Sequence, residues 1–355
     1  MTPGNPARWT VLQLTVPVAG WKGGAGGWLV SGVDLGCATV AAMDRPAHST
    51  CVTVLAGGGG GARLADGVAA ASDHATIIVN TGDDARIYGL WVSPDVDTVM
   101  YTLADVIDPQ AGWGRRDETY VTQAGLAELG EETWFTLGDR DLATHISRTR
   151  RLRGGQSLTQ VTADLCAQLG VAARVVPMSD ETISTWLDTD HKTMAFQEYF
   201  VRRQHRDRVH AITFDGINAA RPAPGVIDAI SSDDVVLIGP SNPFVSIGPI
   251  LAVPGVREAL QQSRAQRIAV SPIIGGAALK GPAAEMLDSL GHEVSSLGVA
   301  HIYRGLIDVF VIDSRDTTAA ADIEALGIDV HITDTMIAQK TDRLRLAGEL
   351  LSLAV

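Results

Sequence analysis

Between Asn80 and Pro109 the chain reads NTGDDARIYGLWVSPDVDTVMYTLADVIDP, and four carboxylates, Asp83, Asp84, Asp95 and Asp97, gather there among turn-forming Gly and Pro. Acids beside apolar runs carry a large desolvation cost unless a cation, hydrogen bonds or a wet cleft compensates, so the cluster suits divalent-metal and phosphate chemistry. A solvated loop is the other reading, since Asp is an ordinary turn residue. Upstream, Gly57, Gly58, Gly59, Gly60 and Gly61 stand between the apolar run CVTVLA and a helix expected from about Ala62. Their amides can approach a phosphate without side-chain obstruction, at a helix N-terminus. Close packing of strand on helix explains the same glycines. The run lacks the Gly-Lys-Ser/Thr ending of a Walker loop, and five consecutive glycines satisfy a dinucleotide spacing almost automatically.

Other segments offer complementary groups. GWGRRDET, starting at Gly112, pairs Trp113, which could stack on a flat heterocycle, with Arg115 and Arg116, which could hold phosphate; a surface turn is the alternative. In LGDRDLATHISRTR, from Leu137, Asp139 or Asp141 can cap a helix, which leaves Arg140 for a ligand, and His145 reads as a packed or hydrogen-bonded residue. IGPSNPFVSIGPIL, from Ile238, forms a stiff loop in which Ser241, Asn242 and Ser246 add hydrogen-bonding groups fit for a phosphate or a base. SPIIGGAALKGPA repeats the theme with Lys280 as a phosphate partner, or is a plain strand-helix connection. There is no GxSxG elbow, no cysteine beside a plausible base and no HExxH. Direct displacement at phosphorus, with metal and Arg or Lys neutralising charge, therefore fits better than a covalent intermediate.

The elements that must position these groups are short apolar runs alternating with helical stretches: CVTVLA, ATIIVN, RVVPM, VHAITF, DVVLIG, RIAVSP and DVFVID. This is an α/β pattern, and near-continuous apolar strands indicate a mostly parallel sheet covered on both faces, with ligands gathered at the carboxyl ends of its strands. From about Gly112 to Gly170 the pattern turns mainly helical and forms a cap excursion. Residues 51–355 are expected to make one catalytic domain. Residues 1–50 read as an N-terminal extension, either a poorly ordered arm or the result of a start upstream of a true one near Met43.

With 355 residues, 46% of them hydrophobic, the chain can bury a full core. A net charge of −13 disfavours a nonspecific nucleic-acid binder. Cys37, Cys51 and Cys166 are scattered, with no CxxC pair and no His at zinc-site spacing, which points to neither a structural zinc nor a disulfide framework and fits a reducing cytoplasm. No run of about 18 apolar residues suggests a membrane span.

In order along the chain, the glycine run, NTGDD, SPDVDTVMYTLADVIDP, GWGRRDET, LGDRDLATHISRT, LTQVT, PMSDE, FQEYFV, GPSNPFVSIGPIL, SPIIGGAALKGPA and GVAHIYRGLIDVFVID closely resemble the 2-phospho-L-lactate transferase family, called phosphoenolpyruvate transferase in actinobacteria. The resemblance runs from about Val52 to the C-terminus. It implies a Rossmann-like α/β fold, commonly in a homodimer. It also implies transfer of a phosphoenolpyruvyl or 2-phospholactyl group from a guanosine diphosphate donor to the hydroxyl of the deazaflavin Fo, with Mg²⁺ assistance and release of GMP, in coenzyme F-420 biosynthesis. Its Fo-contacting residues fall on Asp97, also the expected catalytic group, and Arg140. Asp83 and Asp95 fall near the metal, and Gly57–Gly61, Ser241, Asn242 and Lys280 near nucleotide and phosphate. Two departures stand out: the glycine run lacks the Thr-Gly or Val-Gly form expected in many members, and the extension has no counterpart. The competing expectation is a non-catalytic, nucleotide-sugar-binding regulator related to gluconeogenesis-factor proteins, which share the GGxG and NTxDD pattern; GDRDLATHI and GWGRRDET favour the transferase.

Overall fold

A computed structural model describes residues 50–278 and 281–354. The expected extension, apart from residue 50, and Lys280 lie outside these described residues. Seven parallel strands form the central sheet: β1 (Val52–Ala56), β2 (Ala75–Val79), β3 (Arg174–Pro177), β4 (Val235–Ile238), β5 (Gln266–Val270), β6 (Val309–Asp313) and β7 (Asp329–Thr333). Their order across the sheet is β7-β6-β5-β4-β1-β2-β3. The winding reverses between β1 and β4, and such a reversal opens a crevice at the carboxyl ends of the two strands.

The apolar runs form central strands because both of their faces are covered. On β1, Val52, Val54 and Ala56 belong to one core and Leu55 to the other. The first core includes helix α1 (Gly58–Ala71), helix α2 (Pro94–Leu103) and the C-terminal helix Lys340–Ser352; the second includes Val226–Ser232, Ile247–Ala252, Val256–Gln262 and Ser296–Tyr303. Between β2 and β3 the chain forms helices α3 (Val121–Glu128), α4 (Asp139–Arg153) and α5 (Leu158–Gln168). Helix α5 starts with a capping box, in which Ser157 accepts from the Gln160 amide and the Gln160 side chain accepts from that of Ser157.

One expected strand leaves the main sheet, and one not expected joins it. VHAITF does not join the parallel sheet: Val209–Asp215 pairs antiparallel with Ser184–Thr189, which also pairs with Thr193–Ala195. Its alternating exposure shows why, since a strand with one wet face suits a small antiparallel sheet. Conversely, β7 reads DVHIT, too polar to be recognised as a strand; as an edge strand it has only one strand neighbour. Among the described residues no helix is long and apolar enough to cross a membrane.

Candidate active site

The crevice beside β1 collects the sequence motifs. At the end of β1, Gly57 precedes α1, which already begins at Gly58; the glycines are thus the helix's first turn rather than a free loop. A Cβ on Gly57 would lie 2.6 Å from the Ser246 Cβ, and one on Gly61 would lie 2.7 Å from the Ser241 Oγ. At Gly60 it would overlap the Pro240 carbonyl oxygen, whereas at Gly59 its nearest neighbour is the Gly112 oxygen at 3.9 Å. Strand-helix-loop packing therefore accounts for much of the run, and Gly59 has room to spare. Gly60→Ala is expected to cost about 1–3 kcal/mol through backbone displacement. Gly59→Ala should keep parental stability in urea unfolding, and equal losses in the two variants would contradict this packing.

Asn80, at the end of β2, organises the acids. Its Nδ2 donates to Asp83 Oδ1 at 3.0 Å, Asp95 Oδ2 at 2.9 Å and the Val245 carbonyl at 3.2 Å, while its Oδ1 accepts from the Gly82 amide at 2.8 Å. Asp95 Oδ1 accepts from the Gly58 amide at 2.7 Å, joining α2 to the start of α1. Both carboxylates are buried, and among the described residues neither has a Lys or Arg in an ion pair. Burial first, then the charges of Asp95 and Asp84, hold Asp83 well above the usual carboxylate range. Burial raises Asp95 to about 6, against the hydrogen bonds from Asn80 and Gly58.

Asp84 points elsewhere. Its Oδ2 accepts from Ser93 Oγ at 2.7 Å and Trp91 Nε1 at 2.8 Å, and burial raises it to about 7 despite those bonds. Asp83 and Asp84 line a cleft of about 460 Å³ whose wall includes Trp91, Trp134, Trp186 and Phe196, dimensions and surfaces suited to a planar aromatic ligand.

Asp97 belongs to a third environment. Pro94 at N1 starts α2, and Asp95 and Asp97 occupy its first turn, where negative charge is favoured. Two residues apart on a helix, they cannot share a face. Asp97 turns toward α4, where Arg148 donates to both its oxygens, NH1 to Oδ2 at 3.0 Å and NH2 to Oδ1. His145 Nδ1 lies 3.7 Å from Asp97, His145 Nε2 lies 3.3 Å from Asp141, and Tyr101 donates to Asp141 at 2.8 Å. Burial would lower the Arg148 pKa, but the Asp97 charge and hydrogen bonds raise it, so the guanidinium stays charged.

Two oxygen-bearing groups could thus hold a divalent cation. Asp97, Asp141 and His145 place ligand atoms within 4.8 Å of one another. Arg148 already neutralises Asp97 there, so a cation at that group would have to share the carboxylate with the guanidinium. Asp83 and Asp95 have no such cation, and a pair of buried carboxylates bridged by one amide suits a hard, oxygen-seeking ion better.

The remaining expected residues occupy defined places. Ser241 is buried and donates to the Gly57 carbonyl at 2.7 Å. Asn242 Oδ1 accepts from the Phe244 and Val245 amides at 2.9 and 3.3 Å, so both side chains shape the loop. Arg140 is half-exposed, 3.3 Å from the Arg116 carbonyl and 3.9 Å from Asp117, away from the buried face of α4. Arg148 was missed in the sequence, where it reads as the first member of a basic run. The available signal was its position three and seven residues after His145 and Asp141, on one face of α4.

A family model described as 2-phospho-L-lactate transferase CofD matches residues 52–342. The chain belongs to the 2-phospho-L-lactate transferase family. Phosphoenolpyruvate transferases of Streptomyces griseus and Kitasatospora aureofaciens are 43% and 45% identical over 311 and 312 residues, covering 85% of this chain and 98% and 97% of theirs. The 2-phospho-L-lactate transferase of Methanosarcina acetivorans is 42% identical over 296 residues, 83% of this chain and 96% of its own. In three dimensions, a Bacillus halodurans protein of known crystal structure aligns with a TM-score of 0.61 at 18% identity, covering 85% of this chain and 99% of its own, a likeness of fold alone. The family resemblance inferred from the motifs is thereby established, and the acids, the glycine run and the Ser241 loop all lie within the matched span.

Proposed function

We propose that this family member is a phosphotransferase that moves a phosphoenolpyruvyl or 2-phospholactyl group from a guanosine diphosphate-activated donor to the side-chain hydroxyl of Fo, releasing GMP. The observation that carries the reading is the buried Asp83–Asn80–Asp95 bridge beside the first turn of α1, at the reversal of strand order. That order also favours a Rossmann-like site. Asp83 and Asp95 would hold Mg²⁺, which when bound offsets charge on the donor diphosphate. The first-turn amides of α1 face the same diphosphate, with Ser241 and Asn242 keeping the adjoining loop rigid.

In the reaction, the Fo oxygen forms a bond to the phosphorus distal to guanosine as the bond from that phosphorus to the bridging oxygen breaks. GMP leaves with the electron pair, and the hydroxyl proton passes to a carboxylate or solvent. Asp97 is the catalytic carboxylate of this reading: its bidentate pair with Arg148 fixes its orientation, which suits positioning the acceptor hydroxyl. Arg140, weakly engaged at the surface of α4, is free to turn onto Fo. The aromatic-walled cleft beside Asp84 offers the ring system a stacking surface. A cytoplasmic homodimer completes the reading, and light scattering on the purified protein gives its mass.

The test is to incubate purified protein with Mg²⁺, Fo and each activated donor in turn, and to follow product mass and GMP. A heavier deazaflavin formed with stoichiometric GMP is expected, and the donor giving the fastest turnover identifies the acyl group. Donor binding without GMP release would instead support the regulator.

A further inference from the structure

A second cavity, of about 310 Å³, lies between α1 and the start of the C-terminal helix, closed by the loop that follows α2. Arg63, Arg116, Lys340 and Arg343 line it against Asp105 and Asp108, so four cations face two acids and leave a formal excess of two positive charges. In a chain of net charge −13 this is a local inversion. The acids do not satisfy the cations. Asp105 is shared by Arg116 and Lys340, each at 3.1 Å, and Arg343 reaches away to Asp66 at 2.8 Å. The Nε atoms of Arg116 and Arg343 are buried without a hydrogen-bond partner. Arg63 makes no hydrogen bond or ion pair among the described residues, although it is partly buried. Burial, and next the charge of Arg343, lower its pKa.

A partly buried guanidinium with no acceptor, as at Arg63, is costly, and the cost falls when an anion in the cavity supplies one. Guanidinium groups match the planar oxygen pairs of phosphate and carboxylate. We propose that this cavity is a binding site for a phosphorylated anion, with Arg63 as its principal contact. Thr102, on its wall, follows Asp95 on α2 by seven residues, roughly 10 Å along the axis. One molecule carrying linked phosphates could therefore reach from the acid pair into the cavity. Assignment to the guanosine donor rests on the function proposed above; anion binding itself does not.

The test titrates pyrophosphate, and in a second arm guanosine diphosphate, into the intact protein and an Arg63→Gln variant by calorimetry. The variant should fold, because Arg63 leaves no partner behind. Pyrophosphate affinity is expected to fall at least about tenfold in the variant. An equal fall for guanosine diphosphate would support the nucleotide donor as the source, and a fall for pyrophosphate alone would support a small free phosphorylated anion. Unchanged affinity for both ligands overturns the proposal. A protein that loses anion affinity on Arg63→Gln yet never transfers to Fo would sink the proposed function and leave this site standing.

Discussion

An Arg148→Met variant is expected to lose about 3–5 kcal/mol of folding stability. Arg148 is fully buried and supplies both hydrogen bonds to the Asp97 carboxylate, which is itself 5% exposed. Removing the guanidinium leaves that carboxylate with only the His145 imidazole, 3.7 Å away and shared with Asp141 at 3.3 Å, in place of a permanent cation. The loss is thus the cost of an uncompensated buried anion more than the net worth of the pair. The double variant Asp97→Leu/Arg148→Met should recover most of the loss, because replacing both members by apolar groups of similar size removes the unpaired charge. Urea unfolding of the four proteins in this cycle gives the coupling directly. If Arg148→Met unfolds at the parental midpoint, Asp97 has another partner and the ion-pair account fails.

Asp83→Asn and Asp95→Asn should separate stability from activity. Each replaces a buried acid that has no cation by a neutral amide of the same shape, which relieves the burial cost that raises both groups and, at Asp83, the repulsion from Asp95 and Asp84. Stability without Mg²⁺ is therefore expected to stay level or rise in Asp83→Asn and to gain less in Asp95→Asn, where both carboxylate oxygens accept hydrogen bonds and an amide accepts at only one. Transfer to Fo should fall in both by about two orders of magnitude or more, equivalent to about 3 kcal/mol of lost charge stabilisation. Added Mg²⁺ should stabilise the parent, by about 2.7 kcal/mol at a hundredfold excess over its Kd, and do so less in either variant. Thermal unfolding with and without Mg²⁺, run beside the transfer assay, tests both halves. Parental transfer rates in both variants would reduce the acid pair to a structural bridge. This pattern, stability held down for the sake of chemistry, is usual where like charges are gathered at a functional site.

The same two predictions mark where sequence reasoning stops. Apolar runs such as VTVLA and VVLI declared parallel, doubly covered strands because few other environments bury every side chain of a four- or five-residue stretch. VHAITF looked similar but alternates in exposure, and only its pairing with Ser184–Thr189 removes it from the main sheet. The motifs also fixed family membership. Local sequence shows residue type and spacing, and both survive folding.

Partnership does not. Asp83 and Asp84 are adjacent, yet one is bridged through Asn80 to Asp95 and the other is tied to Ser93 and Trp91. Asp95 and Asp97 share one turn of α2, but helical geometry sends them to opposite neighbours, the start of α1 and the inner face of α4. By itself the sequence determined that acids, glycines and a stiff loop would meet at the carboxyl ends of strands. Only the tertiary structure decided which acids are paired and which stand without a cation, because the deciding partner, Arg148, lies 51 residues from Asp97 and reaches it through helix packing.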